Sequence, residues 1–176
     1  MSGLNLAAAH QAIAAAVPDR PALVWRGTTW TWADVADRTA RLASVLRAHD
    51  VGPSGAAATG WQSPNDHVAL VLLNGNEYLE GMIGSWRARA ASVNINWRYT
   101  APEMAEVLAD AAAAAVVYHG RYAAVVGEAL ALLPARPRLL LHVDDGTPDA
   151  LLPGAVAYED ALAAATPLSP DPDWSG

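Results

Sequence analysis

Residues 67–118 read HVALVLLNGNEYLEGMIGSWRARAASVNINWRYTAPEMAEVLADAAAAAVVY, and this run decides the fold. Its apolar segments His67–Leu73, Ser92–Ile95 and Ala114–Tyr118 are short and almost uninterrupted, the pattern of strands covered on both faces. Helical stretches lie between them, one running to about Arg89 and one opening at Ala101. The alternation continues with a helix to Leu133 and a strand over Arg138–Val143. Strand starts 22 to 25 residues apart suit βαβ units, whose right-handed crossovers build a parallel sheet. The predicted class is α/β, a parallel βαβ sheet layered with helices.

Upstream of this run, Leu4–Val17 is rich in alanine and predicts a helix that Pro18 and Pro21 terminate. Ala22–Arg26 and Trp30–Trp32 then read as a hairpin about a turn at Gly27-Thr28-Thr29. Thr31 with Asp34 resembles a capping box and opens a helix whose apolar stripe is Val35, Leu42, Val45, Leu46 and His49. Gly52–Pro64 has no period and reads as a loop. A second box, Thr100-x-x-Glu103, starts the helix that buries Met104, Val107, Leu108 and Ala111. A short helix is expected near Tyr158–Ala164, and the proline-rich residues 167–176 read as a linker after a unit spanning 1–166.

Composition narrows the function. A net charge of −7 offers phosphates no cationic surface, so nucleic acid is not an expected partner. All eleven cations are arginine, which leaves no amine for a Schiff base or a lysine–phosphate contact. There is no cysteine, which removes disulfides and thiolate chemistry and fits a reducing compartment. The N-terminal stretch has neither a cationic leader nor a long apolar run, so no signal peptide or transmembrane span is expected and the predicted location is cytoplasmic. His10, His49, His67, His119 and His142 lack the helical spacing of a metal pair, so no metal site is predicted.

Two segments carry a family resemblance. TWTWADVADRTARLASVLRAHDVG (29–52) and LLNGNEYLEGMIGSWRARAASVNINWRYTAPEMAEVLADAAAAAVVY (72–118) are similar, in order and spacing, to the opening of acyl-CoA synthetases of the acyl-adenylate-forming, AMP-binding superfamily. The resemblance implies an enzyme that uses ATP and Mg2+ to convert a fatty acid or other carboxylate into acyl-adenylate and then forms a thioester with CoA. It departs from the family by about ten inserted residues before Asp66, which would be the family's turn aspartate. The Pro-Lys-Gly phosphate loop and the catalytic lysine are not among these residues. The chain therefore reads as an N-terminal fragment in which 167–176 leads toward that loop. No catalytic residue is assigned, and the chain alone is predicted inactive.

Ligands of open α/β sheets sit beyond the carboxyl ends of the strands. Asn74-Gly75-Asn76-Glu77 there reads as turn and cap. The resemblance places the turn containing Asn96 and Trp97 near a pantetheine channel, and places Arg121, at the end of a strand and the start of a helix, near a CoA phosphate. Asp144-Asp145 reads as a solvated turn. The competing reading is a non-catalytic dimerisation or binding module, and a homodimer is a possible partner in either case. A chain without further layers is expected to leave apolar sheet faces or an edge uncovered.

Overall fold

The computed structural model describes residues 5–55 and 63–170. Residues 1–4, the middle of the inserted loop (56–62) and the end of the expected linker (171–176) lie outside the described residues. The chain begins with α1 (Leu6–Ala16), capped by Asn5, whose side chain accepts from the Ala8 amide. A hairpin of β1 (Pro21–Trp25) and β2 (Thr28–Thr31) follows. Its turn is Arg26-Gly27, both at positive φ, not the expected Gly27-Thr28-Thr29. A two-residue turn with both residues left-handed matches the twist of the flanking strands, so Thr28 and Thr29 are drawn into β2. Trp32 belongs to α2 (Trp32–Ala48), whose first turn is closed by the expected box: Asp34 accepts from the Thr31 amide and Thr31 Oγ1 from the Asp34 amide. His49 is the exposed C-cap of α2 and not part of its buried stripe.

The main sheet is built from β3 (His67–Val71), β4 (Ala91–Asn94), β5 (Ala113–His119), β6 (Leu139–Val143) and β7 (Val156–Ala157), in the order β4-β3-β5-β6-β7, all parallel. The two-residue β7 has too little pattern to be read from sequence. The connecting helices are α3 (Asn76–Arg87), α4 (Ala101–Asp110) and α5 (Ala123–Leu132), and α6 (Tyr158–Ala164) ends the described fold. Alternate strand residues serve opposite faces. Val68, Leu70, Val117 and Leu141 pack beneath Leu42 and Leu46 of α2 and Tyr158 and Leu162 of α6. Ala69, Val71, Val116 and Leu140 pack against Met104 and Leu108 of α4 and Val126 and Leu130 of α5. Both faces are thus covered, so the expectation of bare sheet faces is not met. Within the expected linker, the Leu168 amide donates to Ala40 O at 3.0 Å, which fixes its start on α2.

The amino edge of the sheet is closed by Asp66, whose Oδ2 accepts from the Gly52 amide at 3.0 Å and from Arg138 Nη2. Gly52 cannot be larger: a Cβ there would stand 2.9 Å from Ala88 O. The ends of the inserted loop are thereby held together, and the carboxyl edge is left to carry the cleft.

Candidate functional site

A cleft of about 240 Å³ opens at the carboxyl ends of β3, β5 and β6, beneath the hairpin. Leu73, Asn74, Asn76 and Glu77 contribute from the turn into α3, His119 and Arg121 from the end of β5, and Asp144 and Asp145 from the turn after β6. Trp25, Arg26, Thr28 and Trp30 of the hairpin form its outer wall. Arg26 holds φ 48° beside Gly27 and lies over the Trp25 ring at 5.6 Å. Asn or Gly is the usual first residue of such a turn, so the hairpin spends a strained position on a guanidinium.

Arg121 is the sequence-predicted residue that the structure brings into the cleft. Its Nε donates to Asp145 Oδ2 at 2.8 Å and its backbone amide to the same oxygen at 3.2 Å. The backbone amide at this helix start, where the resemblance places a CoA phosphate near Arg121, therefore already holds a carboxylate. The Arg121 side chain remains half exposed. Asp145 is not the solvated turn residue expected: its side chain is 11% exposed, and Oδ1 accepts from the Thr147 hydroxyl at 2.6 Å. Burial would raise the Asp145 carboxyl, but the Thr147 hydroxyl and the Arg121 guanidinium outweigh it and hold the group well below the usual carboxylate range. Asp144 does serve the turn, accepting from the Gly146 amide at 2.9 Å.

Asn96 and Trp97 stand apart from the residues that line the cleft. Asn96 Oδ1 accepts from the Arg98 amide at 3.0 Å, an Asx turn leading to the Thr100–Glu103 box. The half-exposed Trp97 ring lies 6.3 Å from Tyr122 and carries the Arg98 guanidinium at 4.7 Å. Tyr122 follows Arg121 directly, so the Trp97 surface and the cleft flank the same 3-10 turn, Gly120–Tyr122.

From sequence, His119 is only set aside as a metal ligand, Glu77 reads as part of a turn and cap, and the hairpin wall reads as a hairpin, so none of them is assigned to the cleft. His119 Nδ1 accepts from the Leu73 amide at 3.0 Å, so the ring is neutral with its proton on Nε2. Burial is the main cause that keeps its pKa below the ordinary value. Glu77 is displaced the other way, raised chiefly by burial and further by Glu80 and Glu159. The available signal was position: all follow a strand's carboxyl end except the hairpin residues, whose approach depends on tertiary packing. Among the described residues no group of three or more His, Asp or Glu side chains could hold a metal ion. No helix among them is long and apolar enough to cross a membrane.

Compared with known proteins, residues 10–173 match the model of the AMP-binding enzymes. The chain belongs to that family. It is 37% identical over 171 residues to the medium-chain acyl-CoA ligase Mig of Mycobacterium avium, a match covering 96% of the chain and 31% of that protein. It is 32% identical over 154 residues to 3-oxocholest-4-en-26-oate–CoA ligase of Rhodococcus rhodochrous, covering 86% of the chain and 25% of that protein. Among solved structures, a benzoate CoA ligase from Burkholderia xenovorans superimposes with TM-score 0.76 at 20% identity, over 97% of this chain and 30% of that one. The last likeness establishes the shared fold. The chain spans about a third or less of the length of the curated relatives it matches.

Proposed function

We propose that these residues form the N-terminal subdomain of an acyl-CoA ligase that activates a fatty acyl carboxylate with ATP and Mg2+ and passes it to CoA in the cytoplasm. The observation that carries this reading is the match to a medium-chain acyl-CoA ligase across 96% of the chain. Residues 1–166 are the subdomain and 167–176 lead to the phosphate loop. What they supply is a wall. The sheet fixes its carboxyl edge, and Arg121 offers the outward part of a guanidinium whose Nε is anchored by Asp145. Such a group, preorganised by a carboxylate, meets a CoA phosphate with little loss of side-chain freedom. Trp97 and Asn96, across the 3-10 turn, flank the pantetheine approach.

Adenylation requires concentrated positive charge at the phosphates. With neither a lysine nor the Pro-Lys-Gly phosphate loop in these 176 residues, we infer that they alone do not perform it. The test is thioester formation by a chimera in which this chain replaces the matching third of the Mycobacterium avium ligase.

A further inference from the structure

The parallel ladder between β3 and β5 ends at the pair Val71 and Tyr118. Beyond it, the next link between the two strands is a side chain: the Leu73 amide donates to His119 Nδ1 at 3.0 Å. Leu73 is followed at once by Asn74, and both line the cleft. The link works only while Nδ1 carries no proton, because a protonated imidazole has two donors and no acceptor.

We propose that His119 is a positioning residue of the cleft: its neutral imidazole holds the Leu73–Asn74 turn against the Arg121–Asp145 pair, and protonation at Nδ1 releases that turn. A proton taken from solvent sets two N–H groups against each other, so the amide must turn away and the wall of the cleft moves with it. The titratable and charged groups around the ring and its cleft come from every side. Arg121 approaches from the 3-10 turn, His142, Asp144 and Asp145 from β6 and the turn after it, Arg26 from the hairpin and Glu77 from α3. Burial opposes the imidazolium most strongly, Asp145 favours it, and Arg121, Arg26 and His142 oppose it. Asp145 is itself paired with Arg121. The release therefore falls on the acid side of the ordinary imidazole value of 6.5.

Nitrogen-15 NMR of the 176-residue chain, titrated from neutral to acid pH, tests this without assuming the ligase reading. The expected result is an acceptor-type Nδ1 at neutral pH and one midpoint shared by the His119 ring and the Leu73 and Asn74 amides. In His119→Asn, whose Oδ1 can stand where Nδ1 stood, the Leu73 amide should stay bonded and lose its pH response. In His119→Ala it should exchange with solvent about two- to tenfold faster at neutral pH, the scale of one lost hydrogen bond. If the Ala variant does not fold, the comparison of Asn with wild type decides alone. A Leu73 amide indifferent to the His119 titration, one that follows His142 instead, or an Asn variant that titrates like wild type would overturn the proposal.

Discussion

Arg38 and Glu80 form a bidentate pair across the α2–α3 interface, with Nε to Oε1 at 2.7 Å and Nη2 to Oε2 at 3.0 Å. The Glu80 side chain is wholly buried, and Tyr158 Oη and Asn76 Nδ2 donate to its remaining lone pairs at 2.8 and 3.2 Å. Burial first, and then the neighbouring Glu80 carboxylate, hold the Tyr158 phenol well above its ordinary pKa, so it stays a donor. One carboxylate thus ties α2, α3 and α6 together directly beneath the turn that opens α3. Removing the cation leaves a buried carboxylate without its counter-charge, a loss of about 3–5 kcal/mol. Arg38→Met is expected to lower stability on that scale in urea denaturation. The double variant Arg38→Met with Glu80→Gln should recover part of it.

Gly84 makes the close approach of α2 and α3 possible. A Cβ there would meet Leu42 Cδ2, Cγ and Cβ at 2.6, 2.8 and 3.0 Å. Alanine ordinarily improves a helix by about 1 kcal/mol over glycine, but here the helices must separate, at about 1–3 kcal/mol. Gly84→Ala should therefore destabilise. Gly81→Ala, whose Cβ would meet only the branched end of Leu70, should be milder, and thermal melts of the pair decide it.

Glu77 predicts a pH dependence opposite to that of a paired carboxylate. Its folded pKa lies above the ordinary 4.5, so the native state keeps a proton that the unfolded chain gives up. The linked stability is present below about pH 4.5 and is lost as pH rises through the folded value. Glu77→Gln should match wild type near pH 4 and be more stable near pH 8 in parallel denaturant titrations.

Arg121→Ala, introduced into the ligase chimera, should raise the KM for CoA by about ten- to a hundredfold, the scale of a hydrogen bond to a charged group. The adenylation half-reaction, read as pyrophosphate exchange, should be unchanged. An unaltered CoA dependence would reduce Arg121 to a surface partner of Asp145.

How much of this was legible in the sequence follows the range of the interactions. The strands 67–73, 114–118 and 138–143 and both capping boxes were readable because a run of apolar residues or a four-residue spacing determines them locally. The turn at Arg26-Gly27 was misplaced by the lure of Thr28 and Thr29, since an arginine at positive φ goes against local preference and is sustained by the strands around it. Asp145 looked like a turn acid because its partner, Arg121, is remote in sequence and meets it only where β5 and β6 end side by side. Glu80 carries no local signal of its role, because three of its four contacting atoms belong to Arg38 and Tyr158 of other helices.

The role proposed for this chain is that of a wall in an acyl-CoA ligase, without activity of its own. Its most direct test is octanoyl-CoA formation from octanoate, ATP and CoA by the chimera with the Mycobacterium avium ligase, with the 176-residue chain and the remaining part of that ligase assayed separately. Thioester is expected from the chimera and none above a buffer blank from either part. A folded chimera that forms no thioester, or thioester formed by the lysine-free chain alone, would contradict it.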